Sequence, residues 1–194
     1  MGDDDGEALY EHSRRGRLGD VLELLDRKVP ADKFMAYDGS TPLVIAARGG
    51  HGGVVRLLLE RKASLDVHTE DGSSVLMHAV SGASAEAVRA VLGARADPNE
   101  ENEDGLTPLV LAGDKGSLDV ARLLVEAGAD VAVVAEDWGS ALDSALAAGH
   151  VELATYLESA GAKATGSQSQ PGHERKVAAG EQWGYDAFDG EKDY

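Results

Sequence analysis

The sequence predicts an all-α solenoid of about five helix–turn–helix modules, with β-turn fingers between modules and an extended C-terminal tail. Three observations predict it. Asp38, Asp71, Asp104 and Asp137 recur at intervals of 33 residues. Each is followed by a leucine and an alanine three apart, Leu43/Ala46, Leu76/Ala79, Leu109/Ala112 and Leu142/Ala145, a spacing that holds both on one helical face. Glycines then punctuate the pattern at fixed offsets, as at Gly50, Gly116 and Gly149. Self-similarity at such a period is the signature of stacked repeats.

The chain opens with an acidic extension, residues 1–5, followed by a divergent first module over about 6–37. Leu9, Gly16, Val21 and Leu24-Leu25 fall there in the columns of the later modules, shifted by 34. Modules then run over about 38–70, 71–103, 104–136 and 137–163. In each, Asp-Gly or its equivalent supplies a turn that tolerates positive φ. A Thr or Ser (Thr41, Ser74, Thr107, Ser140) follows where a hydroxyl caps the next helix, with Pro42 and Pro108 at the first helical position. The alanine column lets neighbouring first helices approach closely. The second helix carries Leu58, Val91, Leu124 and Leu157 inward, and Gly128 and Gly161 close it in the left-handed conformation. Departures mark softer places. Ala83 stands where a glycine breaks the first helix elsewhere, and Lys62 and Arg95 stand where glycine closes the second. A non-glycine residue held left-handed costs roughly 1–2 kcal/mol. Trp138 takes the turn-glycine position with Gly139 behind it, so the fourth finger is expected to be rearranged.

The string Asp-Gly-Ser-Thr-Pro-Leu at 38–43, its counterpart Asp-Gly-Leu-Thr-Pro-Leu at 104–109, and the Gly-Ala-Asp close at 128–130 resemble the ankyrin repeat family. The resemblance covers about residues 6–163. It implies a curved stack whose concave face, formed by the turns and first helices, binds another protein. It also implies the candidate contact residues Tyr37, Arg48, Glu70, Met77, Glu103, Leu106, Asp114, Glu136 and Trp138.

Composition narrows the function further. The 194 residues carry a net charge of -17, which argues against nucleic acid, whose phosphates demand a basic surface. There is no cysteine, and hence no disulfide framework, zinc–thiolate site or cysteine nucleophile. No apolar run approaches a membrane span, and the acidic opening lacks the features of a leader, so the expected setting is the cytosol or the nucleus. Charge is uneven: residues 1–95 sum to -3 and residues 96–163 to -11. The acid concentrates in the third and fourth turns at Glu100, Glu101, Glu103, Asp104, Glu136 and Asp137, which suits a partner with a basic surface.

Chemical motifs are weak. Gly49-Gly50-His51-Gly52-Gly53 lacks the preceding strand and the Lys-Ser/Thr of a phosphate loop. Glu100-x-Asn102-x-Asp104-Gly105 lacks the terminal glutamate of a calcium loop. His51 and His150 share a column at the start of the second helix, where a structural hydrogen bond is expected, and His78 is expected to face a neighbouring module. No catalytic residue, metal ligand or cofactor is assigned. The tail after Lys163 is a Gly/Ser/Gln linker followed by an acidic stretch with four of the nine aromatics. Trp183, Tyr185 and Phe188 read as a docking motif, with a solubilising tail or a fold-back onto the repeats as the other uses. The function is thus a non-enzymatic protein-binding module. The alternative is a permanent structural subunit of a multi-subunit complex.

Overall fold

The computed structural model describes residues 4–165. Ten helices follow one another in pairs: α1 (Asp4–Arg14) and α2 (Leu18–Asp26), α3 (Pro42–Arg48) and α4 (Gly52–Glu60), α5 (Val75–Ser81) and α6 (Ala85–Gly93), α7 (Pro108–Lys115) and α8 (Leu118–Glu126), α9 (Ala141–Ala147) and α10 (Val151–Ser159). The first members stack in one row, α1 on α3, α3 on α5, α5 on α7 and α7 on α9. The second members stack alongside in another. Trp183, Tyr185 and Phe188 lie outside the described residues.

The repeat columns explain the stacking. Leu43, Leu76, Leu109 and Leu142 are fully buried, as are Ala46, Ala79, Ala112 and Ala145. Leu58, Val91, Leu124 and Leu157 seal the second row against the first. The helices of the four later modules are only seven to nine residues long, too short to persist in water alone, so their stability comes from the faces they bury.

The helix starts follow the capping pattern with one exception. Thr41 and Thr107 accept the amides of Val44 and Val110, and Ser140 forms a reciprocal box with Asp143. Ser74 makes no such bond, and its hydroxyl is buried without a partner. Asp143 also accepts the amide and the hydroxyl of Thr165, at 3.1 and 2.7 Å. These bonds tie the chain beyond α10 to the first turn of α9.

The places where glycine is missing are strained as the columns imply. Lys62, Ala83 and Arg95 all have positive φ, and Lys28 does the same at the end of α2. In the fourth finger the left-handed residue moves one place, to Gly139 at φ 72°. Trp138 keeps an ordinary φ, and Val134–Ala135 (β1) pairs antiparallel with Gly139–Ser140 (β2). Gly113 on α7 was not singled out by the repeat pattern. It lies so close to α9 that an added Cβ would collide with the Ala141 carbonyl oxygen.

Two predictions separate packing from local propensity. Gly113→Ala should lower stability even though alanine favours helix, and Ala112→Leu should cost roughly 1–3 kcal/mol through overpacking. Arg95→Gly should instead raise stability by roughly 0.5–1 kcal/mol by relieving the left-handed strain. Denaturant melts of the three variants check all of this. A stabilised Gly113→Ala would show that α7 and α9 are less tightly apposed than described.

Candidate functional site

The fingers are spaced by backbone bonds that pass from one module to the next. The Glu70 amide donates to the Asp38 carbonyl at 3.1 Å, and the Glu103 amide donates to the Asp71 carbonyl at 3.2 Å. This sets the first two fingers side by side over the row of first helices. Between them lies a pocket of about 70 Å³ lined by Asp38, Arg48, Thr69, Glu70, Asp71 and His78.

Local sequence builds each wall. Asp38 accepts the Ser40 amide at 2.9 Å and the Ser40 hydroxyl at 2.8 Å, folding the first finger around its own carboxylate. Asp71 repeats the arrangement with Ser73 at 3.2 and 2.8 Å. Arg48, ten residues after Asp38 at the end of α3, reaches back to Asp38 at 3.5 Å and to the Ser40 hydroxyl at 3.1 Å. Its Nε–H also faces Nδ1 of His78 on α5 at 3.5 Å. A guanidinium has donors only, so Nδ1 is the acceptor and the imidazole proton sits on Nε2. That nitrogen donates to Thr69 Oγ1 at 2.9 Å, and the Thr69 hydroxyl donates to Asp71 Oδ1 at 2.6 Å. One chain of polar contacts therefore links the second module to the third.

The electrostatics follow from burial. Burial pushes the His78 imidazole down to about 4, the Arg48 cation pushes the same way, and the Asp71 and Asp38 carboxylates oppose both only in part. His78 is thus neutral near pH 7. Burial by itself raises Asp38. The hydrogen bonds from Ser40, the Arg48 charge and the bonds from Arg48 outweigh it, and the carboxyl ends below its ordinary value. Asp71 ends lower as well: bonds from Thr69 and Ser73 overcome the same burial effect.

The third finger is built differently. Asn102 Oδ1 accepts the amides of Asp104 and Leu106, at 3.1 and 2.9 Å. Leu106 fills the column of Ser40 and Ser73, and Leu111 fills the column of His78, so the polar chain ends before this module. Glu101, Glu103 and Asp104 on this finger, and Glu136 and Asp137 on the fourth, are exposed. No basic side chain pairs with any of them among the described residues, whereas Glu100 meets His68 at 2.6 Å. In the first half of the array, by contrast, Arg27 pairs with Asp5, Arg61 with Asp26, Arg48 with Asp38 and Arg56 with Glu86.

The candidate contact residues divide accordingly. Tyr37 is 93% exposed on the first finger, and Glu70, Glu103 and Glu136 are exposed on the next three. Arg48 and Glu70 come together at the pocket. Asp114 is half-buried at the end of α7, and its carbonyl receives His150 at 3.1 Å; His51 makes the matching bond to the Arg14 carbonyl. Trp138 is half-buried against the core. Met77 and Leu106 correct the expectation: they are 2% and 3% exposed and pack in the core. Met77 belongs to the column of Val44 and Val110, also buried, and Leu106 to the inward column of Ser40 and Ser73. Neither is available to a partner. The repeat pattern marks Asp38 and Asp71 only as turn residues and does not mark Thr69 at all. The Asp-x-Ser spacing shared by 38/40 and 71/73, and absent at 104/106, was the available signal.

A family described as ankyrin repeats (3 copies) matches the chain over residues 9–102 and again over 76–166. No curated protein matches it.

The buried imidazole makes stability depend on pH. The unfolded chain takes up a proton on this histidine near pH 6.5 and the folded one only near 4. Its contribution is therefore complete above pH 6.5 and is lost as pH falls toward 4, by about 3 kcal/mol. Carboxylates lowered in the fold lose theirs at still lower pH. His78→Leu, the residue type in that column of the fourth module, should flatten the step between pH 6.5 and 4 in denaturant titrations.

Proposed function

Since the chain belongs to the ankyrin repeat family, whose repeats bind other proteins, we propose that it is a non-enzymatic module that grips a protein partner through its concave face and acidic fingers. One observation carries this reading: Glu101, Glu103 and Asp104 of the third finger and Glu136 and Asp137 of the fourth are exposed without a basic partner among the described residues, whereas Asp5, Asp26, Asp38 and Glu86 in the first half each pair with an arginine. A field of one sign along one stretch of fingers steers a partner with a basic surface and repels nucleic acid. Tyr37 on the first finger and Trp138 on the fourth offer aromatic anchors toward the two ends of the row. Trp183, Tyr185 and Phe188 add a second contact, which raises avidity because it forms within the same complex. No helix among the described residues is long and apolar enough to cross a membrane.

A second reading is favoured by the end of the stack. Ala47 and Val80 are fully buried and Gly113 is buried, each beneath the following module, but Leu146 in the same column is 51% exposed. Val151 at the start of α10 is 72% exposed. Terminal modules of an isolated array need a polar outer face, so this end suits a permanent subunit covered by a neighbour.

A photo-cross-linker at Tyr37 should give adducts with the partner, whereas one at Arg89, exposed on α6 in the other helix row, should not. Adducts from Arg89 alone would overturn the concave-face reading. Association should slow by about tenfold or more between low and high salt; a rate indifferent to salt would remove the acidic fingers from the account. Trp138→Ala should weaken binding by about 1 kcal/mol or more. Native mass measurement separates the two readings, since a permanent subunit appears only in the larger assembly.

A further inference from the structure

We infer that the uncovered end of the stack, Leu146 on α9 and Val151 on α10, is the docking surface for the chain's own segment 183–188, through Trp183, Tyr185 and Phe188. This is independent of the concave-face reading. It sets any contact of these aromatics with a partner in competition with a contact inside their own chain.

The last module differs from the others in what it leaves bare. In the column of Leu146, Ala47, Val80 and Gly113 are buried. In the column of Val151, which is 72% exposed, Gly52 is buried and Ala85 and Leu118 are half-buried. An added Cβ at Gly52 would meet the Glu86 side chain, and one at Gly113 the Ala141 carbonyl, so the cover elsewhere is the following module. From Leu146 to Val151 the chain carries no carboxylate, lysine or arginine. At the other end of the stack the exposed residues of α1, Asp4, Glu7 and Arg14, are all charged, as an outer cap requires. One end is finished and the other is not.

The chain itself begins the missing cover. Asp143 stands in the column of Val44, Met77 and Val110, which is otherwise apolar. Besides capping α9, its carboxylate accepts the amide and the hydroxyl of Thr165, at 3.1 and 2.7 Å. Leu146 follows Asp143 by three residues, so the two are neighbours on one face of α9. The chain beyond α10 is therefore pinned about one helical turn from the bare leucine.

Reach and charge choose the occupant. Residues 166–182 can extend up to about 55–60 Å, whereas the seven residues of α9 span only about 10 Å. A segment of the same chain meets this surface at an effective concentration on the order of 1 mM. A second copy at micromolar concentration cannot compete, and its charged α1 offers no apolar mate for a head-to-tail stack. Arg175 and Lys176 lie in the intervening stretch. Glu152 and Glu158 on α10 are exposed and pair with no lysine or arginine among the described residues, so the approach of that stretch is electrostatically favourable. The aromatics themselves meet a surface without charge.

The test uses the full chain, which lacks cysteine, so Gln182→Cys places a single nitroxide beside Trp183. By NMR, the amides of Leu146–Val151 should lose most of their intensity, while those of α1 keep theirs. The loss should vanish when Trp183, Tyr185 and Phe188 are all changed to alanine, and equally in Leu146→Glu, a substitution at an exposed position. Isotope-labelled chain without nitroxide, mixed with spin-labelled chain at natural isotope abundance, should show no loss. A loss in that mixture would assign the surface to a second copy. Full intensity at Leu146–Val151 in the singly labelled chain would return it to a neighbouring subunit. Either result, or a loss that survives the alanine changes or Leu146→Glu, would overturn the inference. Cross-linking from Tyr37, which tests the concave face, is untouched by all of them.

Discussion

Burial of the leucine and alanine columns between neighbouring first helices is the constraint on which everything else in this molecule depends. A helix of seven residues such as α3, α5 or α9 forms at most a handful of internal hydrogen bonds and does not persist by itself. Each is held because Leu43, Leu76, Leu109 or Leu142 and the alanine three residues on are removed from water by the modules on either side. Stability is consequently shared between neighbours along a line. The spacing of the fingers, and with it the geometry of the surface, is inherited from that stacking.

The polar structure over this apolar frame differs between the two halves. In the second and third modules, Asp38, Arg48, His78, Thr69 and Asp71 satisfy one another across the module boundary. In the fourth, Leu106 and Leu111 replace the polar groups, and Asn102 folds the third finger without using Asp104. The carboxylates released from structural duty in the third and fourth fingers face water. The two halves thus carry different surfaces on one scaffold: a polar pocket between the first two fingers and exposed carboxylates on the third and fourth.

The pocket between the first two fingers lies in the most strained part of the stack. Lys62, Ala83 and Arg95 hold left-handed backbone, Ser74 buries an unpaired hydroxyl, and His78 is kept neutral by burial, all within the second and third helix pairs. Each feature costs stability that a glycine, a capping threonine or a leucine would restore. They coincide with the pocket, where polar groups occupy places that an optimally packed module would give to apolar ones.

Period, module number, helix order, the buried Leu and Ala columns, and even the strained Lys62, Ala83 and Arg95 were legible in the sequence. They are properties of a single column, and one column needs only its own residue types and offsets to be read. The displaced turn at Trp138-Gly139 was legible for the same reason. The pocket was not, because Asp38 and Thr69 belong to different fingers and Arg48 and His78 to different helices. Only the rise from one module to the next, fixed by side-chain packing, brings them within hydrogen-bond reach. The same distinction explains Met77 and Leu106. Their place on turns and first helices suggested exposure, but whether a column faces solvent or the neighbouring module is decided by how the modules lean on one another, a quantity no single repeat contains.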